Sequence, residues 1–416
     1  MPSRLGSMSF YCAASSLGIR APSTLSQTRL RVAHYPLVLT LLAICVAFLG
    51  TSARGQQGSM KLLTNEVGWS ASGGHLFWTT NAGGQGKDIS PPAAPQKEIT
   101  SVFFLDATTG WVLLAGSAPN LDEPRFDLAS TTNAGTTWAI TRVKIPNMNP
   151  DQTTLSGDGR IEFVDPLHGW MNLSVVSSAN FRLGGLLATS DGGKSWDWAP
   201  DSPGVSGSVR FINLKDGWLA GGPGNQRLYV THDSSNSWQE LSMKAPPEAG
   251  RAIYPTYDQP PLFDNSSHGF LPVTFFGPEG VKSALVLFFS ADGVTWKSDR
   301  VLPGLNEGSE MVPSTMADST WIIAAVSDHT ALTLTTIGAG GKVTRVRADA
   351  VPRDSAVLHL SFADGAHGWI LTSRGLLSTI DGGVTWTNIT PIVAQPTPAP
   401  RATLHCAAPQ RMLPST

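Results

Sequence analysis

Five short polar side chains in this 416-residue chain stand in one repeated setting of hydroxyls, small turn residues and a tryptophan. They are Asn133 in STTNAGTTW, Asp191 in ATSDGGKSW, Asp233 in VTHDSSNSW, Asp292 in FSADGVTW and Asp381 in STIDGGVTW. Carboxylates beside hydroxyls can do acid–base or glycosidic chemistry, where two acids face one bond. They can also fasten a turn, because a short carboxylate accepts backbone N–H groups while glycine supplies positive φ. A catalytic acid is needed once, whereas a fastener is needed once per repeat. Recurrence therefore assigns these five positions to structure. WTTNAGGQGKDI (78–89) is a copy of the box without tryptophan, and TTIGAGGKVTRV (335–346) lacks both acid and tryptophan.

A second motif alternates with the boxes: Phe, any residue, Asp or Asn, three residues, Gly, aromatic. It is clearest in FFLDATTGW, IEFVDPLHGW, VRFINLKDGW, LFDNSSHGF and LSFADGAHGW, and weaker around Trp69 and Trp321. From Trp69 to Trp369 is 300 residues in six steps, a mean of 50. A period of this size marks a repeat architecture. Within each unit, four short runs rich in Val, Leu, Phe and Trp are separated by Gly/Asp/Ser clusters, which reads as four strands. No long stretch of helical period follows residue 56. The chain is thus expected to be all-β, a single seven-bladed β-propeller of four-stranded antiparallel blades. The first blade begins near Met60 and the last ends near Ile389, so ring closure rests on packing or on a flanking strand. Of the 13 Trp, 11 occupy motif positions, which is core usage.

The Ser/Thr-x-Asp-x-Gly-x-Thr-Trp element resembles the Asp-box of sialidases and related propellers. Its alternation with Phe-x-Asp-x-x-x-Gly-Trp is similar to the photosystem II stability/assembly factor family, exported seven-bladed propellers. The resemblance covers about residues 60–390. It implies a non-catalytic protein that binds an assembling membrane complex. The rival reading is a glycan-binding or glycoside-hydrolysing Asp-box propeller. Against it, the Phe-Arg-Ile-Pro segment of sialidases is absent, sialidases are six-bladed, and other Asp-box hydrolases resemble paired propellers. Asp122, Glu123, Asp151, Asp258, Glu279 and Asp328 lie in loops that could hold an acid pair, and spacing nominates no two of them. A binding module is favoured over an enzyme.

Arg20, Arg29 and Arg31 precede the apolar run PLVLTLLAICVAFLG (36–50), and small residues follow in TSARGQQ. This is the pattern of a secretory signal. The expected plan is 1–55 signal peptide or signal anchor, 56–390 propeller, and 391–416 Pro/Ala-rich flexible tail. Cleavage fits after Ala53 or Gly55. The long region before the apolar run means either a start at Met8 or later, or a retained anchor, which would be the membrane contact. Export implies a periplasmic or extracellular protein, lumenal in a phototroph. Residues 1–55 hold five Arg, no Lys and no acid, so a formal charge of −2 becomes −7 on their removal. An acidic mature chain is poorly suited to nucleic acid. Cys406 would be its one cysteine, which precludes an intramolecular disulfide.

Loops on a rigid scaffold concentrate binding residues. Arg125, Arg182, Arg227, Lys282 and Arg374 each fall six to ten residues before their box acid or Asn, where a third strand should start. His75 and His329 take that place in the other two units. Such a collar would attract an acidic protein segment or a membrane-complex subunit. The blade-joining stretch APPEAGRAIYPTYDQPP (245–261) adds Arg251, Tyr254 and Tyr257, residue types favoured at interfaces. His168, His268 and His367 precede the turn Gly in alternate blades and read as turn residues, since a metal needs ligands around one centre. Without a phosphate loop, paired CxxC or HExxH, no cofactor or metal is expected.

Overall fold

The computed structural model describes residues 58–389, apart from 95–96, 117–124, 147–154, 177–181, 265–267, 279–281, 303–309, 318–319, 328–330, 339–341 and 349–356. At 125, 282–283, 310–317, 323–327, 331, 345 and 347–348 only the backbone is described. The expected signal segment and tail, with Cys406, lie outside these residues.

Seven antiparallel sheets follow one another, each with its strands in chain order. Blade 1 comprises Ser59–Leu62, Gly68–Ser72, His75–Thr79 and Lys87–Asp88. Blade 2 runs from Lys97–Phe104 to Ala139–Arg142, blade 3 from Leu155–Phe163 to Asp197–Trp198, and blade 4 from Gly207–Phe211 to Gln239–Glu240. Blade 5 runs from Tyr254–Thr256 to Lys297–Leu302, blade 6 from Glu310–Ala317 to Val343–Ala348, and blade 7 from Val357–Phe362 to Thr387–Asn388. First strands of neighbouring blades touch, as between blades 1 and 7, 2 and 3, 3 and 4, and 6 and 7. The first strands therefore line the axis of the ring.

The second motif is the joint between blades. Gly110, Gly169, Gly217 and Gly368 pair across from the motif Phe, and a Cβ at any of them would lie 2.4 Å from that ring. Lacking one, the glycine lets the following indole pass onto the next blade. Trp111 stacks on Phe163 with centroids 3.8 Å apart and donates its indole N–H to the Gly192 carbonyl at 3.2 Å. Trp170 stacks likewise on Phe211 at 3.4 Å. Such pairs add about 0.5–1.5 kcal/mol beyond burial.

The same joint closes the ring. Trp369 of blade 7 donates to the Ala82 carbonyl of blade 1 at 3.1 Å, and the Leu62 amide donates to Ser361 Oγ at 3.0 Å. Met60, Leu62, Trp369 and Leu376 form a buried cluster there. Among the described residues no strand crosses between the first and last blades, which meet by packing and these hydrogen bonds.

Two blades depart from the repeat. In blade 6 the third and fourth strands, Ala331–Ile337 and Val343–Ala348, pair over six residues, and the Gly338 amide donates to the Lys342 carbonyl beyond them. In blade 5 the inner strand is split: Tyr254–Thr256 and Leu262–Phe263 both pair with Gly269–Phe276. The stretch 245–261, expected as a free loop between blades, is thus partly inner strand. Its prolines punctuate the strand instead of spacing the blades.

Candidate functional site

The box acids are occupied within their own turns. In blade 3, buried Thr189 donates from Oγ1 to Asp191 Oδ1 at 2.8 Å and accepts the Gly193 N–H at 3.0 Å. Asp191 Oδ1 also accepts the Lys194 and Ser195 amides at 2.9 Å, and Oδ2 accepts the Ser195 hydroxyl at 2.6 Å. Asp233 and Asp381 repeat this with Thr231/Ser237 and Thr379/Thr385. Asn133 is held by Thr131 and Thr137, and Asp292 by Ser290, Val294 and Thr295. In blade 1, Asn81 makes the same turn with Thr79 and Gln85 although the box tryptophan is missing.

Hydrogen bonding to the charged form sets the acidity. The Ser237 hydroxyl and amide hold Asp233 at about 2, and the Thr385 hydroxyl and amide do the same for Asp381. At Asp191 burial pushes upward, but bonds from Ser195, Thr189 and Lys194 outweigh it and leave the pKa at about 2. The Thr295 and Val294 amides hold Asp292 well below the carboxylate range. A carboxyl so depressed carries no proton to donate at neutral pH.

The expected collar shares a backbone position. Arg125, Arg227 and Lys282 open the third strands Arg125–Thr131, Arg227–Thr231 and Lys282–Ser290. Arg182 stands two residues before Gly184–Thr189, and Arg374 directly precedes Gly375–Thr379. In register the strand openers face Gly116, Gly221 and Phe276, at the ends of second strands. All therefore sit on the face away from the Gly-Trp turns. Arg182 donates to Asn225 Oδ1 and Arg227 pairs with Glu240, each at 2.5 Å. His75, in the same place in blade 1, contacts Asp88 at 2.8 Å.

Arg251 is exposed, and Tyr254 is half-buried with its ring stacked on Phe276 at 5.6 Å. Tyr257 corrects the expectation of a partner-binding residue. It is 1% exposed, its hydroxyl accepts the Met243 amide at 3.0 Å, and its own amide donates to the Asn225 carbonyl at 2.8 Å. With strand pairing on one side of it and a core cluster around it, Tyr257 is a core residue. Among the six loop carboxylates only Asp258 is within the described residues; the other five and His329 lie outside them. His168, His268 and His367 each bring Nδ1 to the Asp of their own turn, Asp165, Asp264 and Asp364, at 2.8, 3.0 and 2.7 Å.

The axis holds a group of charges that sequence reasoning missed. Lys61, Glu162 and Arg210 each pair across from a motif indole, Trp69, Trp170 and Trp218, so they occupy one level of the first strands. They come from blades 1, 3 and 4. Arg210 Nε lies 3.7 Å from Glu162 Oε1, and Lys61 Nζ stands 5.7 Å from the centre of the Phe103 ring. Lys61 is exposed to solvent. Enclosure, then the field of Arg210, lowers the Lys61 pKa against the pull of Glu162. Enclosure raises that of Glu162 despite Arg210, Lys61 and the Phe211 amide. Arg160, exposed, stands two residues back from Glu162, and His359, in the first strand of blade 7, has its pKa lowered by burial and then by Arg160. The available signal was the residue just before each motif Phe, charged in blades 3 and 4, and Lys61 at the matching place.

No protein-family model matches the chain, and no curated protein matches it. Among solved structures it is similar to a GH74 xyloglucanase from Xanthomonas campestris, at 13% identity and a TM-score of 0.56, over 81% of this chain and 55% of that one. A GH74 enzyme of Niastella koreensis gives 11% identity and a TM-score of 0.50, over 77% and 53%. The chain thus spans about half the length of these two enzymes. It is also similar to YCF48 bound to a D1 peptide, at 18% identity and a TM-score of 0.43, over 70% and 82%. At these identities the likeness is one of fold: the chain is a seven-bladed β-propeller. Fold alone does not assign function.

Proposed function

We propose that this chain is an exported, non-catalytic propeller that holds an acidic segment of a protein partner, a subunit of an envelope or membrane complex. The carrying observation is that Arg125, Arg182, Arg227, Lys282 and Arg374 share one backbone position on one face of the ring. Arg251 and Tyr254 extend that face at the entry to blade 5. In a chain whose charge becomes −7 without residues 1–55, a cationic rim is a local reversal of sign. Such a rim steers acidic partners and is screened over about 8 Å at physiological ionic strength. The pairing of Arg227 with Glu240 is exposed and costs about 0–1 kcal/mol to exchange for a partner carboxylate. The box residues Asn133, Asp191, Asp233, Asp292 and Asp381 fasten the hairpins and take no part in binding.

The alternative is a glycan-binding or glycoside-hydrolysing propeller whose acids come from the loop carboxylates. The test is capture of partners from the solubilised native envelope at rising salt, beside a glycan hydrolysis panel on the same preparation. Capture that fades with salt and an inactive panel support the proposal. Hydrolysis of any glycan replaces it with the alternative.

A further inference from the structure

Blade 1 keeps the box turn but lacks the box tryptophan. Trp138, Trp196, Trp238 and Trp386 each stand five residues after their box Asn or Asp, and Gly86 holds that place after Asn81. Elsewhere this indole packs edge-on against the motif Phe of its own blade. Trp138 meets Phe104, Trp196 meets Phe163 and Trp386 meets Phe362, with centroids 6.5, 6.2 and 6.3 Å apart. Blade 1 lacks that Phe as well, because Leu62 stands six residues before Gly68. The place of the Phe is taken: a Cβ at Gly68 would lie 2.6 Å from the Trp369 ring of blade 7. The place of the indole is open. A cleft of about 240 Å³, counted with its solvent mouth, is lined there by Phe77, Gly83, Gly86, Trp369 and Leu376, beside the second strand of blade 1. Trp111 and Trp170 stack on the motif Phe of the next blade, whereas among the described residues Trp369 has no ring partner.

We propose that this cleft receives a tryptophan side chain of a partner protein, which completes the joint between blades 7 and 1. The repeats themselves show what the place is built to hold. A Cβ at Gly83 would lie 2.3 Å from Ile389 Cδ1, as one at Gly135 would lie 2.7 Å from Ile89 Cδ1, so the two joints are built alike. In the joint between blades 1 and 2, Trp138 donates its indole N–H to the Ile89 carbonyl at 2.8 Å. Ile389 is the counterpart of Ile89, since their amides donate to the Leu376 and Leu76 carbonyls, each at 2.9 Å. A ring entering beside Gly86 therefore meets apolar and aromatic walls, with the Ile389 carbonyl as acceptor for an indole N–H. Apolar walls with one placed polar group suit an aromatic anchor. The ring is not the chain's own. All 13 Trp lie within the described residues, and the stretch 390–416, which starts directly after Ile389, has no aromatic residue. The cleft adjoins the Gly-Trp turn of blade 1, on the face away from the collar, so this site stands apart from the collar reading.

The test is titration of the full chain with the N-acetyl amides of tryptophan, phenylalanine and leucine, followed by the methyl NMR signals of Leu376. The tryptophan amide should shift them saturably, and the leucine amide should bind about tenfold more weakly or worse. Gly86→Trp puts an indole into the cleft from the chain itself, so it should raise the melting temperature by a few degrees and weaken binding of the tryptophan amide tenfold or more. Arg182→Glu with Arg374→Glu should leave that binding unchanged, which separates this site from the collar. If Gly86→Trp does not fold, Gly86→Leu fills the same space and decides by the same loss of binding. Leu376 signals that none of the three amides moves, a leucine amide that binds as well as the tryptophan amide, or wild-type binding by the folded Gly86 variant, overturns the proposal.

Discussion

Asp191 and Glu162 are carboxylates of the same blade, one on the rim and one on the axis, and their surroundings are opposite. Asp191 accepts four hydrogen bonds within its own turn and is held at about pKa 2. Glu162 faces Arg210 at 3.7 Å and is pushed up by enclosure. The rim pattern recurs in other blades with a buried Thr or Ser as its hub, whereas the axis charges occur in blades 1, 3 and 4 without repetition. A polar group that is satisfied and repeated serves the fold.

The largest effect should come from the hub of a rim turn. Thr231 is 1% exposed, donates to Asp233 and accepts the Ser235 amide at 3.1 Å. Thr231→Val leaves that amide unpaired and should cost about 2–3 kcal/mol in chemical denaturation. A cost near zero would break the contrast between rim and axis. Asp191 sharpens it through pH. Its folded pKa of about 2 lies below the unfolded value of about 3.9, so the unfolded chain takes up the proton first. The stabilisation is complete above about pH 4 and is lost as pH falls through about 2. Between pH 5 and 2 the melting temperature of Asp191→Asn should fall less steeply than that of wild type, as read by scanning calorimetry. Equal slopes would mean that the carboxylate is not held as described. The smallest effect belongs to the axis. Lys61→Met removes a cation that gains no hydrogen bond, so the melting temperature should hold or rise slightly. A clear fall would place Lys61 with the rim groups.

Much of the fold was legible because the motifs mark both ends of each blade. Most motif aromatics open second strands behind a glycine and boxes follow third strands, so the seven motif aromatics set the count even where blade 6 lost its box. The collar position followed by counting back from each box. Blade 1 shows that the hydroxyl and Asn81 carry the turn without the tryptophan, a hierarchy that the repeats alone did not reveal. Tyr257 was misread because Tyr beside Pro and Asp looks like surface, whereas strand pairing of Tyr254–Thr256 draws it inward. Lys61, Glu162 and Arg210 were passed over for a different reason. A charge in an alternating strand reads as a solvent-facing position, and only closure of the ring brings three distant ones to one level.

The central claim is that the box acids hold the fold while the collar cations on the opposite face do the binding. It is tested most directly by comparing Asp191→Ala with the triple variant Arg182→Glu, Arg227→Glu, Arg374→Glu in one assay of melting and envelope-partner capture. Asp191→Ala should lose about 1–2 kcal/mol of stability and capture normally per folded molecule. The triple variant should melt within a few degrees of wild type, since exposed charges contribute about 0–1 kcal/mol each, and capture nothing. Normal capture by the triple variant, or lost capture by folded Asp191→Ala, would contradict the account.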